Sequence, residues 1–135
     1  MKVLIIGANG KIGRKVAKKL SESDKHEATA FIRKEEQQDF FNSIGVESIL
    51  GDLESVPEEI GKSFEDYDAV VFAAGSGAKT GYDKTLEIDL DGAIKVIREA
   101  ERNNAKRFVI VSASHSDDRK FWGEAEGMKP YYIAK

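Results

Sequence analysis

The chain reads as an α/β protein built on a three-layer, doubly wound parallel sheet, and three observations predict this. Short apolar runs recur at 3–6, 27–32, 46–50, 69–74 and 107–111. The segments between them carry helical spacing of apolar residues, so strands and helices alternate. The first run, Val3-Leu4-Ile5-Ile6, is apolar at every position and not at every second one. A strand covered on both faces of a parallel sheet has that pattern.

Each element follows in order. Ile12, Val16 and Leu20 recur at intervals of four, which predicts a helix over 11–22 with one apolar stripe. Residues 27–32 form the second strand, and a polar helix over 34–43 ends at Gly45. The third strand, 46–50, stops at Gly51-Asp52. A short helix over 56–64 tolerates Pro57 in its first turn. The fourth strand, Ala-Val-Val-Phe-Ala-Ala over 69–74, runs into Gly75-Ser76-Gly77. Leu86, Leu90, Ala93, Ile94 and Ile97 share one face of a long helix that reaches about Asn103, and residues 107–111 make the fifth strand. Right-handed crossovers then give the strand order 3-2-1-4-5. The loops at Gly7, Arg33, Asp52, Gly75 and Ser112 are expected to open together at the carboxyl edge of the sheet, where such folds bind ligands. With no repeat, low-complexity tract or linker, residues 1–135 read as one domain.

Composition narrows the function. A net charge of −3, with acids and bases interspersed, predicts no nucleic-acid partner. The absence of cysteine excludes disulfides, thiolate metal sites and a cysteine nucleophile. His26 and His115 lack partners at ligand spacing, so no metal site is expected. No segment approaches the roughly 20 apolar residues of a membrane span, and the first strand is too quickly broken for a signal peptide. The expectation is a cytoplasmic protein with no membrane partner.

The segment Gly7-Ala8-Asn9-Gly10-Lys11-Ile12-Gly13 sits between the first strand and the first helix. Gly7 allows a tight turn, Gly10 lets backbone approach a pyrophosphate, and Gly13 lets the helix pack on the strand. The first N–H groups of the helix have no partner within it and point at a bound anion. This predicts a dinucleotide site, with Asn9, Lys11 and Ile12 completing the turn. Arg33 follows the second strand, where a fold of this kind faces the adenosine ribose. Arginine there accommodates a 2′-phosphate, and Phe31-Ile32-Arg33-Lys34 holds no acid before Glu35, so NADP is favoured over NAD. Asp52 and Leu53 either frame the adenine, with the Asp52 carboxylate accepting from its amine, or Asp52 caps its own loop. Ala73, Ala74 and Gly75 are small enough to admit ribose and pyrophosphate beside backbone.

Taken in order, Gly7-x-x-Gly10-x-x-Gly13, Asp52-Leu53, Ala73-Ala74-Gly75, Asp89-x-x-Gly92, Ser112-x-Ser114 and Tyr131-x-x-x-Lys135 resemble the short-chain dehydrogenase/reductases. The chain looks most like their small atypical branch, close to NAD(P)H-binding and NmrA-like proteins and related to sugar-nucleotide epimerases and dehydratases. The resemblance implies a Rossmann-type fold. It also implies that Tyr131 exchanges a proton with a substrate oxygen, helped by the charge of Lys135 one helical turn away and by Ser112 or Ser114. Lys135 would also hold the nicotinamide ribose. Asp89 departs from the pattern, since many members carry Asn there. Phe121 and Trp122 either line a substrate pocket or cap the core. The family continues beyond its Tyr-Lys helix, so the resemblance implies that the C-terminal strands and the substrate lobe lie outside residues 1–135. The fifth strand is then an exposed edge, an expected surface for a homodimer. The function implied is hydride transfer between NADP(H) and a small carbonyl or alcohol. The alternatives are an NADP(H)-sensing regulatory protein without turnover, or a fragment without independent activity.

Overall fold

Five strands, β1 (Lys2–Ile6), β2 (Glu27–Ile32), β3 (Glu47–Leu50), β4 (Ala69–Phe72) and β5 (Arg107–Ile110), form one parallel sheet in the order β3-β2-β1-β4-β5. The structure is a computed structural model, and it describes residues 1–55, 60–77, 81–124 and 127–135. Ile6 pairs with Phe31 on one side and Phe72 on the other, Phe31 with Ile49, and Phe72 with Ile110. This register brings the carboxyl ends of all five strands level, so the loops that follow them open on one edge.

The apolar run of β1 feeds two cores. Leu4 and Ile6 join Val70, Phe72, Phe64, Ile88 and Val96 on one face. Val3 and Ile5 join Ala28, Ala30, Ile32, Ala17 and Phe41 on the other. Leu4, Ile5 and Ile6 are each fully buried, worth about 1.5–3 kcal/mol per side chain. One cover consists of α1 (Lys11–Ser21) and α2 (Gln38–Ser43), which carry Ala17 and Phe41. On the opposite side lie α3 (Gly81–Lys84), a π-helical segment Thr85–Gly92, and α4 (Ala93–Arg102). Two short helices, α5 (Arg119–Glu124) and α6 (Lys129–Ala134), close the chain, with Pro130 in the first turn of α6.

Several elements differ from expectation. The polar helix over 34–43 is a 3₁₀ turn, Glu35–Gln37, followed by the α-helical α2. Val46 stands outside β3 because its N–H caps Phe41 O at 2.9 Å. β4 ends at Phe72, and Ala73 contributes a last bond to Ile6 O at 2.8 Å before the chain turns away. Val111 likewise adds a bond to Phe72 O at 2.9 Å beyond the end of β5. The helix expected over 56–64 begins in residues 56–59, which lie outside the described residues; a 3₁₀ turn, Lys62–Phe64, ends that connection.

The long helix buries a different face from the one its leucines and isoleucines suggest. Leu86, Ile94 and Ile97 are exposed, whereas Ile88, Asp89, Gly92, Ala93, Val96, Glu99 and Ala100 are buried. The buried positions recur every three or four residues and form a second stripe beside the one that its leucines and isoleucines make. The sheet then takes Ala93, Val96 and Ala100, whose short side chains let the helix approach closely. β5 is an outer strand, with Val109 54% exposed. Among the described residues no helix is long and apolar enough to cross a membrane.

Candidate functional site

The glycine turn is a cradle whose shape can be tested position by position. Gly7 has φ +75, and a Cβ there would lie 2.4 Å from Ala74 N, so the turn is pressed against the loop after β4. A Cβ at Gly13 would lie 2.3 Å from Gly7 O, so α1 packs directly on the turn. Gly10 differs: a Cβ there would meet only Gly7 O, at 3.3 Å, because its other side faces open space. Its own N–H bonds Gly7 O at 3.0 Å. α1 starts without a side-chain cap and without an acid in its first turn. Its free N–H groups and positive dipole end therefore face a space suited to an anion.

That space is a groove along the carboxyl edge, made of two adjoining cavities of about 440 and 550 Å³ that share Gly10, Ala73, Ala74, Gly75 and Ser76. Two cavities joined at a glycine turn fit a molecule of two nucleosides joined by a pyrophosphate. The smaller is walled by Gly7, Asn9, Phe31, Arg33, Gln37, Leu53, Glu54, Lys84 and Ile88. Lys11, Ile12, Tyr82, Thr85, Asp89, Val111, Met128, Tyr131 and Lys135 wall the larger. Thus Gly7, Asn9, Gly10, Lys11, Ile12, Arg33, Leu53, Ala73, Ala74 and Gly75 all line the groove, and Gly13 supports it from behind.

Within the smaller cavity, the Arg33 N–H donates to Gln37 Oε1 at 3.1 Å, and the exposed Arg33 guanidinium forms no ion pair among the described residues. Asn9 Oδ1 accepts two bonds from Arg14, at 3.1 and 2.6 Å, and the Arg14 guanidinium lies 4.4 Å from the Phe40 ring centroid. Asn9 is thereby fixed, with its amide N–H groups left for other partners. Asp52 does not line the groove: its Oδ1 accepts the Glu54 N–H at 3.0 Å, which closes its own loop. Lys84 Nζ lies 2.8 Å from both Glu54 Oε1 and Glu87 Oε2, bridging the loop after β3 to the helix after β4. Hydrogen bonds that the ammonium donates to Glu54, then to Glu87, hold it above the ordinary lysine value.

In the larger cavity, Tyr131 and Lys135 come together as the spacing predicts, with Lys135 Nζ 5.8 Å from the Tyr131 ring centroid. Lys135 is almost fully buried. Its Nζ sits 3.0 Å from Asp89 Oδ1 and donates to Ala74 O at 3.2 Å. Neither serine lines the cavity. Ser112 Oγ contacts Ser116 Oγ at 3.0 Å and Lys135 O at 3.1 Å, and Ser114 is exposed. Phe121 stacks on His115 at 4.5 Å and meets Tyr132 edge-on at 5.4 Å, while Trp122 Nε1 donates to His115 O at 2.9 Å. These aromatics form a cluster beside Tyr131 outside the lining of the groove.

Sequence reasoning missed Gln37, Glu54, Lys84 and Tyr82. Gln37, four residues after Arg33, carried a usable signal in its spacing. Lys84 carried none, because its partner Glu54 is remote in sequence.

The NAD(P)H-binding family matches residues 7–135. An uncharacterized sugar epimerase of Bacillus subtilis strain 168, YhfK, is 47% identical over 135 residues, covering 100% of this chain and 62% of that protein. Among solved structures, a Bacillus halodurans protein assigned to the NAD-dependent epimerase/dehydratases superposes with a TM-score of 0.90 at 42% identity, over 100% of this chain and 61% of the other. The oxidoreductase ylbE of Lactococcus lactis gives a TM-score of 0.85 at 35% identity, over 100% and 59%. The chain therefore spans about three-fifths of the length of these relatives. Five parallel strands in this order, a glycine cradle at their carboxyl edge and these matches agree: the chain belongs to the NAD(P)H-binding family, in the atypical, epimerase/dehydratase-like branch of the short-chain dehydrogenase/reductases.

Proposed function

We propose that the chain binds NADP(H) in preference to NAD(H) and is the cofactor domain of an oxidoreductase acting on a small carbonyl or alcohol. One observation carries the reading: Tyr131 and Lys135 line the cavity that adjoins the glycine turn, and Arg33 lines the cavity at the groove's opposite end. The nicotinamide, when bound, supplies or accepts the hydride. The chain's residues do the rest. The Tyr131 hydroxyl gives a proton to, or takes one from, the substrate oxygen. The Lys135 ammonium orients the ligand beside it, the α1 N-terminus and Gly10 receive the pyrophosphate, and Arg33 pairs with a 2′-phosphate.

The test follows NADPH oxidation against a panel of aldehydes, ketones and quinones. Tyr131→Phe is expected to lower turnover by about 100-fold or more, with NADPH affinity kept within about twofold. Unchanged turnover contradicts the role of Tyr131. A second reading, a regulatory protein that senses NADP(H), is favoured by the two serines that stand outside the cavity lining. It predicts NADPH binding with no turnover on any member of the panel.

A further inference from the structure

Three side chains that are apolar and yet exposed, Ile12, Tyr82 and Met128, open into one cavity, the larger of the two. Scattered singly, such residues need no explanation; grouped on one concave surface, they mark a place where a ligand excludes water. They come from three separate elements. Ile12 stands in the first turn of α1, Tyr82 on α3, and Met128 just before α6. Val111, beyond the end of β5, and Tyr131 belong to the same lining. The Tyr82 hydroxyl donates to Gly127 O at 3.4 Å, which ties α3 to the segment before α6 and holds the ring at the cavity wall.

Most polar side chains of that lining are engaged within the protein. The Thr85 hydroxyl donates to Gly81 O at 3.1 Å and meets Ser76 Oγ at 3.1 Å. Lys135 is paired with Asp89 and donates to Ala74 O. Lys11 opens α1, beside the turn that receives the pyrophosphate. The Tyr131 hydroxyl, by contrast, has no hydrogen bond among the described residues. A polyol would set its hydroxyls against apolar walls, at a cost for each one left without a partner. A molecule with one oxygen and an apolar body incurs no such cost. Two tyrosine rings and a methionine in one lining favour a flat ring as that body. We propose that the cavity takes an aryl ketone, or the corresponding alcohol, with its oxygen on Tyr131 and its ring between Tyr82 and Met128. The inference rests on the Tyr131 role proposed above and names the substrate class. In the reducing direction the ketone carbon gains the hydride of NADPH and its oxygen gains the Tyr131 proton. The products are the secondary alcohol and NADP⁺, and the tyrosinate regains a proton from water.

The probes are acetophenone and UDP-glucose, titrated into the NADP⁺-saturated chain and followed by saturation-transfer NMR of the probe. Acetophenone is expected to bind about tenfold or more tightly than UDP-glucose. Tyr82→Ser and Met128→Ser are each expected to raise the acetophenone Kd about threefold to tenfold. Tyr82→Phe keeps the ring and loses the bond to Gly127 O, so its Kd is expected within about twofold of the parent's. Both side chains are exposed, so the urea transition and the NADP⁺ affinity of all three variants are expected to stay parental. Ile97→Ser, which alters an exposed apolar side chain of α4 outside the cavity lining, is expected to leave acetophenone binding unchanged. Absent acetophenone binding, tighter binding of UDP-glucose, or an acetophenone affinity that Tyr82→Ser and Met128→Ser leave unchanged overturns the proposal. Equal losses in Tyr82→Phe and Tyr82→Ser also overturn it, because they assign Tyr82 to the tie with Gly127 and not to the ligand. A parent chain that binds no NADP⁺ removes the dinucleotide reading. Acetophenone titration of the unliganded chain and the same variants then still decides what the cavity takes.

Discussion

Gly7 and Gly10 occupy equivalent-looking places in one motif but answer to different constraints. At Gly7 a methyl group meets backbone at 2.4 Å with φ at +75, so both strain and overlap follow. Gly7→Ala is expected to lower folding stability by about 2–4 kcal/mol, read from urea unfolding. At Gly10 the same methyl meets one carbonyl at 3.3 Å and otherwise points into the groove. Gly10→Ala is expected to cost less than about 1 kcal/mol of stability and to weaken NADPH binding about tenfold or more. Equal stability losses at the two positions would contradict the division. The glycine spacing showed that a turn was there. It did not show which glycine serves the fold and which the ligand, because that depends on the loop after β4, far away in sequence. Asp52 shows the same limit: both its readings were open from sequence, and the bond it accepts from Glu54 N–H shows it closing its own loop.

At the scale of elements, the long helix is the instructive case. Its leucines and isoleucines repeat at helical spacing, which predicts that their face is the buried one. The stripe that carries Ile88, Ala93, Val96 and Ala100 packs on the sheet instead, and Val96 is buried while Ile97 is 43% exposed. Val96→Ala is expected to cost about 1.5–3 kcal/mol and Ile97→Ala under about 1 kcal/mol; the reverse ranking in denaturant unfolding would restore the face that the leucines and isoleucines predict. Periodicity could not choose between two stripes of helical spacing, since tertiary contacts decide, among them those of Thr85 and Asp89 with Ser76. The strands were legible because burial on both faces leaves an unbroken apolar run, whereas helix faces can be exchanged.

Lys84 and Lys95 fasten the loop after β3 to these helices, Lys84 through Glu54 and Lys95 through Leu53 O and Ser55 O at 3.1 and 3.3 Å. The Lys84 ammonium is held above its ordinary 10.5. Its stabilising contribution is therefore complete below about pH 10.5 and is lost as pH rises through the higher folded value. Glu54→Gln is expected to make stability fall less steeply above pH 10.5, by a small amount because the pair is exposed to solvent. An unchanged alkaline limb would contradict the bridge.

For the molecule as a whole, the sheet order puts five loops on one edge and the groove along them. Strand order and edge were readable because crossover handedness leaves few alternatives. The contents of the groove were only partly readable: Tyr131 and Lys135 line it, while Ser112 and Ser114 do not. A ligand that spans both cavities binds only the folded chain, so NADPH at about 100 times Kd is expected to raise unfolding free energy by about 2.7 kcal/mol. The central claim is that the groove holds NADP(H) with Arg33 on its 2′-phosphate. Calorimetric titration of NADP⁺ and NAD⁺ into the parent chain and into Arg33→Ala tests it most directly. The account predicts that the parent binds NADP⁺ about tenfold or more tightly than NAD⁺, and that Arg33→Ala binds the two alike. Equal affinities in the parent chain would contradict it.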